Sequence, residues 1–71
     1  MTKKEATKIV KDYFKLYKES KVADIDIWYD KELKEWLVLT IEITKNHTAF
    51  KEAWHIGDDN LLHYDSCHGC I

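Results

Sequence analysis

The spacing of apolar residues changes once along the chain, and the change divides it into a helix and a sheet. Ala6, Ile9, Val10, Tyr13 and Tyr17 recur at steps of three and four, with Phe14 and Leu16 widening the stripe. That spacing predicts an amphipathic helix over 3–20. Thr2 and Glu5 stand at capping-box spacing, so each side chain can take a free backbone N–H at the helix start. At Val22 the period becomes two. Ala23, Ile25, Ile27 and Tyr29 alternate with Asp24, Asp26 and Trp28, which predicts a half-buried strand. Strands are expected near 22–29, 36–44, 49–56 and 61–65, separated by the polar segments 30–35, 45–48 and 57–60. The fold read from this order is α+β: one N-terminal amphipathic helix packed on one face of a four-stranded antiparallel meander sheet. It forms a single domain, 1–71, ending in a Cys-containing tail, 66–71.

Requiring apolar residues to oppose apolar residues across each strand pair sets a register. Tyr29 then opposes Leu37, Ile27 opposes Leu39, Ile25 opposes Ile41, and Ile43 opposes Phe50. Ile56 opposes Leu62, and Trp54 opposes Tyr64. The face away from the helix would carry the rows Trp28–Val38–His55–His63, Asp26–Thr40–Ala53–Asp65 and Asp24–Glu42–Lys51–Cys67, with Trp36 close to its edge. Glu52 is the misfit, because this register turns it towards the helix. It is expected at the sheet margin, beside a Lys or a backbone donor.

Composition narrows the class. Apolar residues make up 45% of the 71, and three Trp, four Tyr and two Phe supply large buried areas, enough for so short a chain to fold. The chain has no Pro and two Gly, so no linker or disordered tail is expected. The longest unbroken apolar run, 36–39, is too short to span a bilayer, and no hydrophobic leader follows Met1. Two cysteines exclude a disulfide scaffold and point to a reducing cytoplasm. The first 21 residues hold seven Lys against three acids, and the remaining fifty hold four Lys against ten acids. Every base is Lys; without Arg, bidentate reading of phosphates or base edges is disfavoured. The stripe Lys4, Lys8, Lys11, Lys15 and Lys18 reads first as a solvated helix face. The bias towards Lys, Ile, Asp and Tyr suits an AT-rich coding sequence, as in a bacterium or phage.

Local chemistry concentrates at the end of the chain. Cys67 and Cys70 are a chelating half-site for zinc, and His55 with His63, cross-strand neighbours in the register, would supply the other half. Cys67-His68-Gly69-Cys70 also resembles the active-site tetrads of the thioredoxin superfamily, over four residues only. The resemblance implies a catalytic dithiol with a redox function, but that family sets its first Cys at a helix N-terminus, and too little chain follows Cys70 for one. Ser20 and Ser66 have no Gly-rich elbow around them, and no phosphate loop is present. No catalytic residue is therefore assigned, and zinc is the one cofactor considered.

The leading expectation is a small soluble protein-binding or regulatory accessory module that works through the exposed sheet face, on another protein or on itself as a homodimer. Its interface would comprise Trp28, Val38, His55 and His63, with Trp36, Asp24, Asp26 and Glu42 around them. Aromatic residues on an open face are the type that interfaces enrich. Zinc binding through Cys67, Cys70, His55 and His63 is the second reading, and thiol redox chemistry the third.

Overall fold

The computed structural model describes residues 1–18 and 20–70, Cys70 by its backbone alone. One helix, α1 (Lys3–Tyr17), is followed by β1 (Lys21–Asp30), β2 (Glu35–Ile43), β3 (Ala49–Ile56) and β4 (Leu62–Cys70). The strands form one antiparallel sheet in the order β1-β2-β3-β4, the expected meander, and α1 packs on one face against β1 and β4.

The helix starts where its caps dictate. Thr2 N–H donates to Glu5 Oε1 at 2.9 Å and Glu5 N–H donates to Thr2 Oγ1 at 3.2 Å, a complete capping box. It ends at Tyr17, short of the expected residue 20, because Lys18 is already extended and β1 pairing begins at Lys21. The reversal into the sheet takes up what would have been the last turn. Ala6, Val10 and Phe14 form the buried stripe, and they meet Ile27, Val38, Trp54 and Ile56 from the sheet in a single core.

Trp54 sits at the centre of that core. Its ring lies 5.4 Å from Tyr13, 5.7 Å from Phe14 and 5.2 Å from Tyr64, each edge to face. Edge-to-face packing adds to the area term. The indole Nε1 donates to Thr40 Oγ1 at 2.9 Å. Tyr64 does pair with Trp54 as expected, but as a cover at the sheet edge, 53% exposed, not as a core residue.

Two register predictions fail. The first concerns β2. Val38 opposes Ile27 and Trp54, Thr40 opposes Ile25 and Glu52, and Trp36 opposes Tyr29 and Ile56. The helix side of β2 is thus Trp36, Val38, Thr40 and Glu42, while Leu37, Leu39, Ile41 and Ile43 face away. A shift of one residue exchanges every side chain of a strand between faces. The second concerns β4, which continues through the expected tail to Cys70. Irregularities beside Ala53 and between Phe50 and Glu52 let β4 carry extra residues, so that Ser66 opposes Ala53 and Cys67 opposes Glu52. The third bulge, between Val22 and Asp24, brings Val22 in place of Ala23 against the core. Bulges of this kind break strict alternation.

Candidate functional site

The face of the sheet away from α1 is built on β2. Its middle column is Leu37, Leu39, Ile41 and Ile43, four aliphatic side chains on alternate positions of a central strand. β1 contributes Trp28, 42% exposed beside Leu37, then Asp26 beside Leu39 and Asp24 beside Ile41. β3 contributes His55, Ala53 and Lys51 at the same three levels. The face is therefore apolar along its axis, acidic on the β1 side and basic on the β3 side at the level of Ile41.

The histidines occupy its far corner. His55 and His63 are paired in register, and their rings stack with centroids 4.9 Å apart. Each is tied to carboxylates. His55 Nδ1 lies 2.7 Å from Asp65 Oδ1, and its Nε2 lies 3.5 Å from Glu35 Oε2. His63 Nε2 lies 2.7 Å from Asp59 Oδ2. The Leu61 backbone N–H, and after it His63, hold the Asp59 carboxyl below the usual carboxylate range. Asp65 reaches His55 because it is the extra residue of β4 beside the Ala53 irregularity.

Of the eight residues expected at the interface, Trp28, Asp24, Asp26, His55 and His63 lie on this face. Val38, Trp36 and Glu42 do not. Val38 is 1% exposed in the core, Trp36 packs 5.3 Å from Tyr29 under the helix side, and Glu42 is buried. Leu37, Leu39, Ile41 and Ile43 stand in their place. Alternation points the other way, because Leu37, Leu39, Ile41 and Ile43 are all aliphatic while the buried set includes Thr40 and Glu42. The deciding signal is Trp54, whose indole N–H needs an acceptor on the neighbouring strand and finds it in Thr40.

The zinc set is not brought together. Cys67 is opposite Glu52, on the helix side of the sheet, whereas His55 and His63 project from the other side. The side chain of Cys70 lies outside the described residues. Among the described residues no group of three or more His, Cys, Asp and Glu is placed to hold a metal ion. The tetrad 67–70 is part of β4, so no helix N-terminus abuts Cys67.

A second polar cluster, missed in the sequence, lies under the end of α1. Glu42 and Glu52 face each other diagonally across β2 and β3, both buried. Ser20 Oγ donates to Glu42 Oε1, and Lys18 Nζ lies 3.6 Å from the same oxygen. Burial opposes ionisation of Glu42, but hydrogen bonds from Glu52 and Ser20 and the charge of Lys18 outweigh it and hold the carboxyl below its ordinary value. Glu52 is pushed up to about 7, by burial first and then by the hydrogen bond to Glu42 and its charge. Glu52 Oε1 finds no donor among the described residues, which suits a protonated carboxyl. The expected lysine is present, yet Glu52 is interior, 7% exposed, not marginal. The same contact takes Lys18 out of the lysine stripe, and Lys8 pairs with Asp12 at 3.0 Å.

No family model matches this chain, and no curated protein or solved structure matches it either. Among the described residues no helix is long and apolar enough to cross a membrane.

Proposed function

We propose that the chain is a small cytoplasmic protein-binding module and that the open face of its sheet is the binding surface. The observation that carries this reading is the column Leu37, Leu39, Ile41 and Ile43 beside Trp28, which no layer of the described residues covers. An open antiparallel sheet face is ordinarily polar on its solvent side. Contiguous apolar side chains rimmed by Asp24, Asp26, Lys51 and the His–carboxylate corner are the pattern of a desolvated patch with a polar margin. The two other readings have less behind them, since Cys67 and the histidines are on opposite sides of the sheet and Cys67 lies in a strand without a helix N-terminus beside it.

Photo-crosslinking tests this directly. A photoreactive residue at position 39 is expected to yield covalent protein adducts, and the same residue at exposed Lys11 on the helix is not. An absence of adducts from position 39, or equal yields from both positions, contradicts the reading.

A further inference from the structure

We infer that the occupant of the open face is a second copy of this chain, packed sheet to sheet about a two-fold axis that runs parallel to β2. The inference rests on the binding face proposed above and names its partner.

Charge and level along the strands select this partner. On one side of β2 the face carries the acids Asp24 and Asp26 of β1, and on the other, at the level of Ile41, the base Lys51 of β3, while the carboxylates further along that side are taken up by His55 and His63. Asp24, Ile41 and Lys51 lie on one line across the sheet, because Asp24 pairs with Ile41 and Ile41 pairs with Lys51. A two-fold axis along β2 leaves the height along the strand unchanged and exchanges left for right. It sets β1 of one copy over β3 of the other, so Asp24 meets Lys51 at the same level, twice by symmetry. It sets Trp28 over His55 in the same way, since both flank Leu37. Leu37, Leu39 and Ile41 meet their own counterparts along the axis and close the apolar column.

The other two-fold in the plane of the face, perpendicular to the strands, is disfavoured by the same residues. About Leu39 it would lay β1 on β1, with Asp26 against Asp26 and Asp24 against Trp28, while Lys51 would find no acid. Like charges across an interface reject a pairing. Aligned sheets pack within about 30° of parallel and about 10 Å apart, which a column of Leu and Ile fills from both sides.

The size of the contact sets its strength. The three strands that overlap about this axis, β1 to β3, at about 4.8 Å spacing and about seven residues of strand length, give each copy a contact on the order of 300 Å² in projection. That is small for a specific interface, so a reversible dimer is expected, populated at tens to hundreds of micromolar and not at nanomolar concentration.

The test is sedimentation equilibrium of the purified full chain from about 10 μM to about 1 mM, a range chosen for an interface of this size. The expected result is a mass rising towards twice 8.5 kDa. Asp24→Lys and Lys51→Asp should each raise the dissociation constant about tenfold or more, and the double swap should recover most of the loss. Asp24 Oδ1 also accepts the Ile25 N–H at 3.0 Å, so Asp24→Asn, which keeps an acceptor and removes only the charge, should weaken association in the same direction. A monomer at every concentration overturns the inference, and so does a dimer indifferent to both swaps or one that the double swap weakens further. If the purified chain stays monomeric while position 39 crosslinks to a different protein, self-association fails and the binding face stands. If it stays monomeric and position 39 gives no adducts, both fail.

Discussion

The two faces of this sheet carry the wrong residues for their surroundings, if alternation alone is the guide. The face under α1 buries Thr40, Glu42 and Glu52 next to Val38 and Trp54, whereas the face without a helix displays Leu37, Leu39, Ile41 and Ile43. The covered face keeps its polar groups because most of their atoms are answered: Thr40 by the Trp54 indole, Glu42 by Ser20 and Lys18, and Glu52 by Glu42, with Glu52 Oε1 the one left without a donor among the described residues. Among the described residues nothing covers the aliphatic column on the open face. A buried polar group with partners costs little, and an exposed apolar column gains by being covered. The comparison teaches that partners, and not apolarity, decide which side of a central strand faces in.

The comparison breaks most sharply at Trp54. Trp54→Ala removes the ring that joins Tyr13, Phe14 and Tyr64, and should cost about 3–5 kcal/mol in chemical denaturation. A melting temperature within a few degrees of the parent would mean the covered face is elsewhere.

The carboxyl pair gives the covered face a pH signature, which the Glu52 substitution isolates. The folded chain holds the Glu52 proton up to about 7, against an ordinary value of 4.5. Below about 4.5 both folded and unfolded chains keep that proton. Between the two values only the folded chain keeps it, so this group's contribution to stability falls as pH rises and is lost above about 7. The depressed Glu42 carboxyl acts oppositely, and its contribution is lost as pH falls through its lowered value. Glu52→Gln should therefore flatten the decline between about pH 5 and pH 8, and stabilise the chain at pH 8 by about 1–3 kcal/mol. Urea melts at the two pH values read it, and an unchanged slope would place Glu52 in solvent.

A smaller effect separates adjacent positions of β2. Val38→Ala should cost about 2 kcal/mol, because Val38 is 1% exposed. In the dilute monomer Leu39→Ala should cost about 1 kcal/mol or less, although it removes the larger side chain, because Leu39 is half-buried on the open side. The reverse order in parallel denaturant melts would restore the register in which Leu39 is core.

Much of the fold was legible in the residues themselves. The capping box of Thr2 and Glu5, the stripe Ala6, Val10 and Phe14, and the change of period at Val22 yield the helix and the strand order. The β3–β4 pairing was legible as far as Tyr64, because Trp54, Ile56, Leu62 and Tyr64 leave one sensible alignment. The β2 register was not, since its alternation turns the wholly aliphatic set Leu37, Leu39, Ile41 and Ile43 towards the helix, the reverse of the face they occupy. The bulges beside Asp24 and Ala53 leave no mark in composition, yet the second moves Cys67 away from the histidines. Hence the corner of His55 and His63 and the flank of Asp24 and Asp26 were placed correctly, while Val38, Trp36 and Glu42 were assigned to the wrong side.

The most direct measurement is methyl NMR with a soluble paramagnetic probe, recorded on dilute and on concentrated protein. In dilute solution the probe should relax the methyls of Leu37, Leu39, Ile41 and Ile43 strongly and leave those of Val10, Val38 and Ile56 unaffected. On concentration the first set should become protected and the second should not change. Strong relaxation of Val38 with protection of Leu39 in the dilute sample would contradict the assignment of faces, and continued exposure of the aliphatic column in the concentrated one would contradict its use by a second copy.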